Sequence, residues 1–234
     1  MQGLGATHIE KIKHQYIDLD GAVAKTFGKL PVNFRGAIWG PNGNGKTEFC
    51  FHLMEQLQKW GRVDFFSYEQ GHGPDITDTI KRHGVKEKKW DVVFYDPFKN
   101  RNPSMSLFDE LYVHLERKKS ARFVFIDSVE ACEFTKQEYH RLHQQFGGHK
   151  GFVWLGFEGP NKKPLSAVTR LIVGEGGFSI RVKDFIATVE KSRYHGWDDY
   201  IVYEEKARER NPLYFETTGK EVEVPKMKAK KSMK

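Results

Sequence analysis

Eight consecutive residues, Gly40-Pro41-Asn42-Gly43-Asn44-Gly45-Lys46-Thr47, have the types and spacing that hold phosphate. Small residues let a backbone curl and aim its N–H groups at phosphate oxygens, and a helix N-terminus adds a positive dipole end. A lysine in the seventh position suits the β- and γ-phosphates of a nucleotide, and the hydroxyl that follows suits Mg²⁺. The chemistry implied is ATP binding with Lys46 on the phosphates and Thr47 on the metal. Two carboxylates complete it. Asp127 closes the run Phe123-Val124-Phe125-Ile126-Asp127, four apolar residues and an acid, which delivers a Mg²⁺ partner to a sheet edge. Glu69 follows Val63–Tyr68 and precedes Gly71 and Gly73, so a general base for attacking water is expected there.

These residues must be carried on alternating elements. Val32–Trp39 reads as a strand into the loop, and Phe49, Leu53, Leu57 and Trp60 recur at helical spacing after it. Further strands are expected at Val63–Tyr68, Asp91–Tyr95, Arg122–Ile126 and Phe152–Phe157. Helices are expected at Asp75–His83, around Leu107, Leu111 and Leu115, and after a Thr135/Glu138 capping box. Phe178–Val182 and Phe185–Val189 read as a hairpin, with a further strand at Tyr200–Tyr203. Alternation of this kind gives an α/β fold, a mostly parallel central sheet flanked by helices, with an antiparallel hairpin extension toward the C-terminus. Residues 1–30 read as a lead-in, 31–220 as the core and 221–234 as a basic tail.

The chain has 234 residues, enough for one domain with its own core. Its net charge of +7 is mostly that tail: the last ten residues hold five lysines and no acids, which leaves +2 for the rest. No apolar run is long enough to span a membrane, and the first ten residues lack a signal-peptide core. Cys50 and Cys132 make neither a disulfide framework nor a cysteine-only zinc site, so a cytoplasmic setting is expected. His140, His143 and His149 have no acidic or cysteine ligand at a metal-binding interval.

The loop, Glu69 and Asp127 together resemble the RecA-like P-loop ATPase superfamily over about residues 30–200, above all its RadA/Sms, DnaB-type helicase and KaiC-like branches. Tyr68-Glu69-Gln70, Lys81-Arg82-His83-Gly84-Val85 and Lys191-Ser192-Arg193-Tyr194-His195-Gly196 carry the likeness. It implies that Lys191 and Arg193 enter a neighbouring subunit's ATP site in a ring or filament of identical chains. In phosphoryl transfer a basic residue supplied in trans is worth about 10³–10⁵ in rate. Ser192 stands where those families have Asn, His195 is inserted before Gly196, and Gly156-Phe157-Glu158 lacks their phosphate-sensing His or Gln. The resemblance also implies single-stranded DNA contacts at Ser128–Phe134 and Glu158–Ser166, the second carrying Lys162 and Lys163. Without zinc-module, protease-like or helicase N-terminal domains this is a nearly bare core, a form found on phages and mobile elements. The function expected is a Mg²⁺-dependent ATPase acting on DNA in replication, repair or recombination. The alternative is a nucleotide-switched interaction module with little turnover. A small-molecule kinase would need an arginine-rich lid, and Arg208-Glu209-Arg210 is the nearest approach to one.

Overall fold

The computed structural model describes residues 3–218, so the basic tail lies outside the described residues. In chain order the elements are α1 (Ala6–Ile9), α2 (Gly21–Phe27), β1 (Arg35–Gly40), α3 (Lys46–Leu57), β2 (Val63–Ser67) and α4 (Pro74–His83). Then come β3 (Val92–Tyr95), α5 (Leu107–Glu116), β4 (Phe123–Asp127), α6 (Val129–Cys132), α7 (Lys136–Phe146) and β5 (Gly151–Phe157). The chain continues with α8 (Ala167–Glu175), β6 (Phe178–Lys183), β7 (Ile186–Ser192), β8 (Tyr200–Ile201), α9 (Glu204–Arg210) and α10 (Pro212–Thr218).

The strands form one sheet in the order β3-β2-β4-β5-β1-β6-β7-β8. The first six are mutually parallel, and β7 and β8 pair antiparallel. Both faces are covered, which is why the central strands read as unbroken apolar runs. Phe123, Phe125, Val153, Leu155 and Ile38 point to one core with Phe49, Leu53 and Leu57 of α3. Val124, Ile126, Phe152, Trp154 and Trp39 point to a second core under α5, α7 and α8. Alternate residues of one strand thus serve opposite cores, as the period of two demands.

The expected elements are present with shifted ends. β1 starts at Arg35 because the Phe34 amide closes a turn onto the Pro31 carbonyl at 3.1 Å. Phe185 belongs to the β6–β7 turn rather than to a strand: Asp184 and Phe185 have φ of 50° and 60°, the left-handed pair of a two-residue hairpin. The capping box at Thr135 and Glu138 is formed. Gly84 ends α4 in the left-handed conformation. Residues 17–30, read as a lead-in, bury Ile17, Leu19, Val23, Phe27 and Leu30 in the first core.

Candidate active site

β1 feeds the phosphate loop, and the loop feeds α3, whose N-terminal amides face the bend. Gly45 has φ 95°, and a Cβ there would meet the Phe185 ring at 2.8 Å. At Gly40 a Cβ would lie 2.0 Å from the Val182 carbonyl oxygen, so the strand end tolerates no side chain. The β6–β7 turn braces the loop. Asn44 accepts from the Asp184 amide at 2.8 Å through Oδ1, and its own amide group donates to the Asn42 carbonyl at 2.7 Å.

Lys46 is buried, and its ammonium donates to the Gly40 and Pro41 carbonyls at 3.0 and 2.9 Å. It lies 5.1 Å from the centre of the Phe157 ring. Burial pushes its pKa down, while Asp127, Glu69 and Glu130 push it back up. Thr47 Oγ1 donates to Asp127 Oδ2 at 3.1 Å. Asp127 is buried, and its other oxygen, Oδ1, has no hydrogen-bond partner. Burial, and then the charge of Glu69, raise its carboxyl to about 7, against the Thr47 hydrogen bond and Lys46. An orphaned carboxylate oxygen beside a threonine hydroxyl is the environment a divalent cation relieves, so Thr47 and Asp127 fit Mg²⁺.

β2 and β4 run side by side with Ser67 opposite Asp127. The Glu69 amide donates to the Asp127 carbonyl at 3.0 Å, which fixes the Glu69 backbone beside Asp127. Burial raises the Glu69 pKa, Lys46 lowers it and Glu130 raises it again. Lys46, Thr47 and Glu69 share an open cleft of about 470 Å³ with Asn42, Gly43 and Gly45. Its far wall is Arg82, Phe185, Tyr203 and Lys206. Arg82 lies within Lys81-Arg82-His83-Gly84-Val85, which marks no role for it, and no local motif marks the other three. Arg82 and His83 of α4 both bond Glu48 of α3, at 2.6 and 2.8 Å, so this wall is tied to the loop helix.

Other expected residues lie elsewhere. β7 runs antiparallel to β6, and Ser192 pairs with Phe178 at the start of that strand. Lys191 and Arg193 therefore stand at the opposite sheet edge from their own phosphate loop. Lys191 donates to the Val173 and Gly174 carbonyls at the end of α8, and burial, with Arg193 and Arg35 nearby, lowers its pKa. Arg193 is exposed. Ser192, in the Asn position, accepts from the Tyr194 and Gly196 amides and shapes the turn.

Of the two segments expected to contact DNA, Ser128–Phe134 contains the one-turn helix α6, with Val129, Cys132 and Phe134 buried and Glu133 exposed. Its Glu130 accepts from the Phe157 and Ser166 amides and from Thr169 Oγ1, which locks α6 to β5 and α8. Lys162 and Lys163 are exposed in a tight turn at the nucleotide edge. Glu158 is taken up by Arg181 at 2.7 and 2.9 Å.

No family model matches this sequence. No curated protein matches it either. Solved structures do. The flagellar accessory protein FlaH from Methanocaldococcus jannaschii superposes with a TM-score of 0.60 at 16% identity, over 81% of this chain and 92% of FlaH. The KaiC-like protein PH0186 from Pyrococcus horikoshii OT3 gives 0.58 at 14%, over 81% of this chain and 94% of its own. The chain has the RecA-like P-loop fold, with an eight-stranded, mostly parallel sheet and a C-terminal antiparallel extension. Among the described residues no helix is long and apolar enough to cross a membrane.

Proposed function

We propose that this chain is a Mg²⁺-dependent ATPase whose site is completed by a second copy, and that it acts on DNA in replication, repair or recombination. The observation that carries the reading is the meeting of Lys46, Thr47, Asp127 and Glu69 from three strand ends. Lys46 leaves its two loop carbonyls for the β- and γ-phosphates. Thr47 and Asp127 would hold Mg²⁺, which when bound would supply positive charge against the phosphate oxygens. Glu69 orients the attacking water and accepts its proton, and its raised pKa brings it nearer to working pH. Phe185, Tyr203 and Lys206 form the outer wall of the nucleotide cleft. Charge that develops on the γ-phosphate is met by Lys191 and Arg193 of the next copy in a head-to-tail ring or filament. Lys162 and Lys163 are the DNA contacts at the nucleotide edge.

The packing of Val129, Cys132 and Phe134, together with the acidic Glu130 and Glu133, supports a second reading, a nucleotide-switched partner of other proteins. Likeness to a flagellar accessory protein supports that reading too. The deciding experiment is the ATPase rate per subunit against protein concentration, with and without single-stranded DNA. A rate that climbs with concentration, and again with DNA, is expected. A flat rate indifferent to DNA would leave the ATP site standing and bring the switch to the front.

A further inference from the structure

The strand-start edge, opposite the nucleotide, holds an open cleft of about 490 Å³ between the turn after α5 and the turn after α7. Arg117, Lys118, Arg122, His149 and Lys150 line it, and Glu116 is the one acid among the lining residues. Strand register builds part of this row. Val63 pairs with Phe123 and Phe123 with Gly151, so Arg62, Arg122 and Lys150 each precede a strand, side by side. Adjacent strands are about 4.8 Å apart. Arg62 is neutralised by Asp64 at 3.1 Å. Arg122 and Lys150 are not.

Arg122 spends its guanidinium on neutral acceptors, the Trp60 carbonyl at 3.1 Å and Gln15 Oε1 at 2.8 Å. Lys150 is 5% exposed, and its ammonium joins the two turns by donating to Ser120 Oγ at 2.8 Å and the Ala121 carbonyl at 2.7 Å. Neither it nor Arg117, Lys118 or Lys119 has an ion pair among the described residues. Burial lowers the Lys150 pKa and Asp64 raises it. Asp64 itself is already engaged by Arg62 and His114. Cations at the end of α5 complement its dipole, but that effect fades within the last turn. It accounts for Arg117 and leaves Lys118, Lys119, Arg122 and Lys150 without a counter-charge. No exposed large apolar residue lines the cleft, so it lacks the insertion a lipid surface would use.

We propose that this cleft binds the sugar–phosphate backbone of single-stranded nucleic acid, independently of sequence. The proposal rests on the DNA reading above and adds a contact at the edge remote from the nucleotide. Backbone-only recognition requires clustered cations and a steep salt dependence.

The test is a fluorescence-anisotropy titration of the full chain with a labelled oligothymidylate at several salt concentrations. The comparison is the triple variant Arg117→Ala, Lys118→Ala, Lys119→Ala, which removes two cations of the cleft lining and the neighbouring Lys119. All three side chains are exposed, so folding and basal ATP hydrolysis should be retained. Affinity should fall about tenfold or more, and the log–log salt slope should become shallower by about 2, because three phosphates of a single strand are no longer neutralised. Wild-type affinity and slope in the triple variant would overturn the cleft and leave the DNA reading intact. Failure of the wild type to bind the oligonucleotide would overturn both while leaving the ATPase. Binding to phosphatidylserine vesicles but not to the oligonucleotide would likewise overturn the cleft as a nucleic-acid site.

Discussion

At the scale of single residues, the site sets buried Lys46 and Asp127 beside an exposed Glu69 in an open cleft. Asp127 keeps one oxygen on Thr47 and one without a partner, and Glu69 stands beside it with a raised pKa. Replacing Glu69 with Gln keeps the shape and removes the proposed proton acceptor. Hydrolysis is expected to fall about 10²–10⁴-fold, with nucleotide affinity retained. Phosphate release and binding of a fluorescent ATP analogue measure the two separately, and unchanged hydrolysis would refute the base assignment. The phosphate loop, Asp127 and Glu69 are legible in the sequence because each is a short local pattern with a strand beside it. The place of Arg82 in the cleft, and Phe185, Tyr203 and Lys206 altogether, are not. They reach the cleft only through tertiary packing, and Phe185 does so from a hairpin turn with φ of 60° at a bulky residue.

At the scale of elements, α7 against β5 shows what apolar patterning leaves out. His143 packs among Tyr139, Phe152 and Trp154, with ring centroids 4.5, 5.0 and 6.0 Å away, and neither ring nitrogen has a partner. Burial, helped by Arg35 and His140, pushes its pKa down to about 3. The unfolded chain therefore takes up a proton near pH 6.5 that the folded chain refuses. Stability from this group is fully present above pH 6.5 and is lost as pH falls toward about 3. Between pH 6.5 and 5 the loss is roughly 1–2 kcal/mol. His143→Leu should remove that share, leave stability at pH 7 no lower, and keep the residual slope of His52, whose burial acts in the same direction. Urea midpoints at pH 7 and pH 5 read this directly, and an unchanged pH slope would contradict it. Most strands and four helices follow from periodicity, but α2 and α8 do not. The β-branched residues of Ala167–Glu175 blur its helical pattern, and its anchor is the distant Glu130.

At the scale of the whole molecule, the two edges of the sheet carry different groups. The nucleotide edge carries Glu69, Asp127 and Glu158 together with Lys46, Lys162 and Lys163, and the opposite edge carries Arg122, Lys150 and, just past the end of the antiparallel β7, Arg193. The folds of FlaH and PH0186 share the scaffold at 16% and 14% identity, so the chemistry rests on this chain's own residues. Arg193→Ala is expected to lower hydrolysis by about 10³-fold or more while nucleotide binding stays intact. A variant as fast as wild type would remove Arg193 from the reaction.

The turn back of β7 separates Arg193 from the Glu69 of its own chain, and each proposed site then draws these groups from two copies. Two impaired variants should therefore rescue one another. In a mixture of Glu69→Gln and Arg193→Ala chains, a Glu69 from the second kind meets an Arg193 from the first wherever the two adjoin in the right order. Activity should rise on mixing and peak near equal proportions, well above the residual rate of either parent alone.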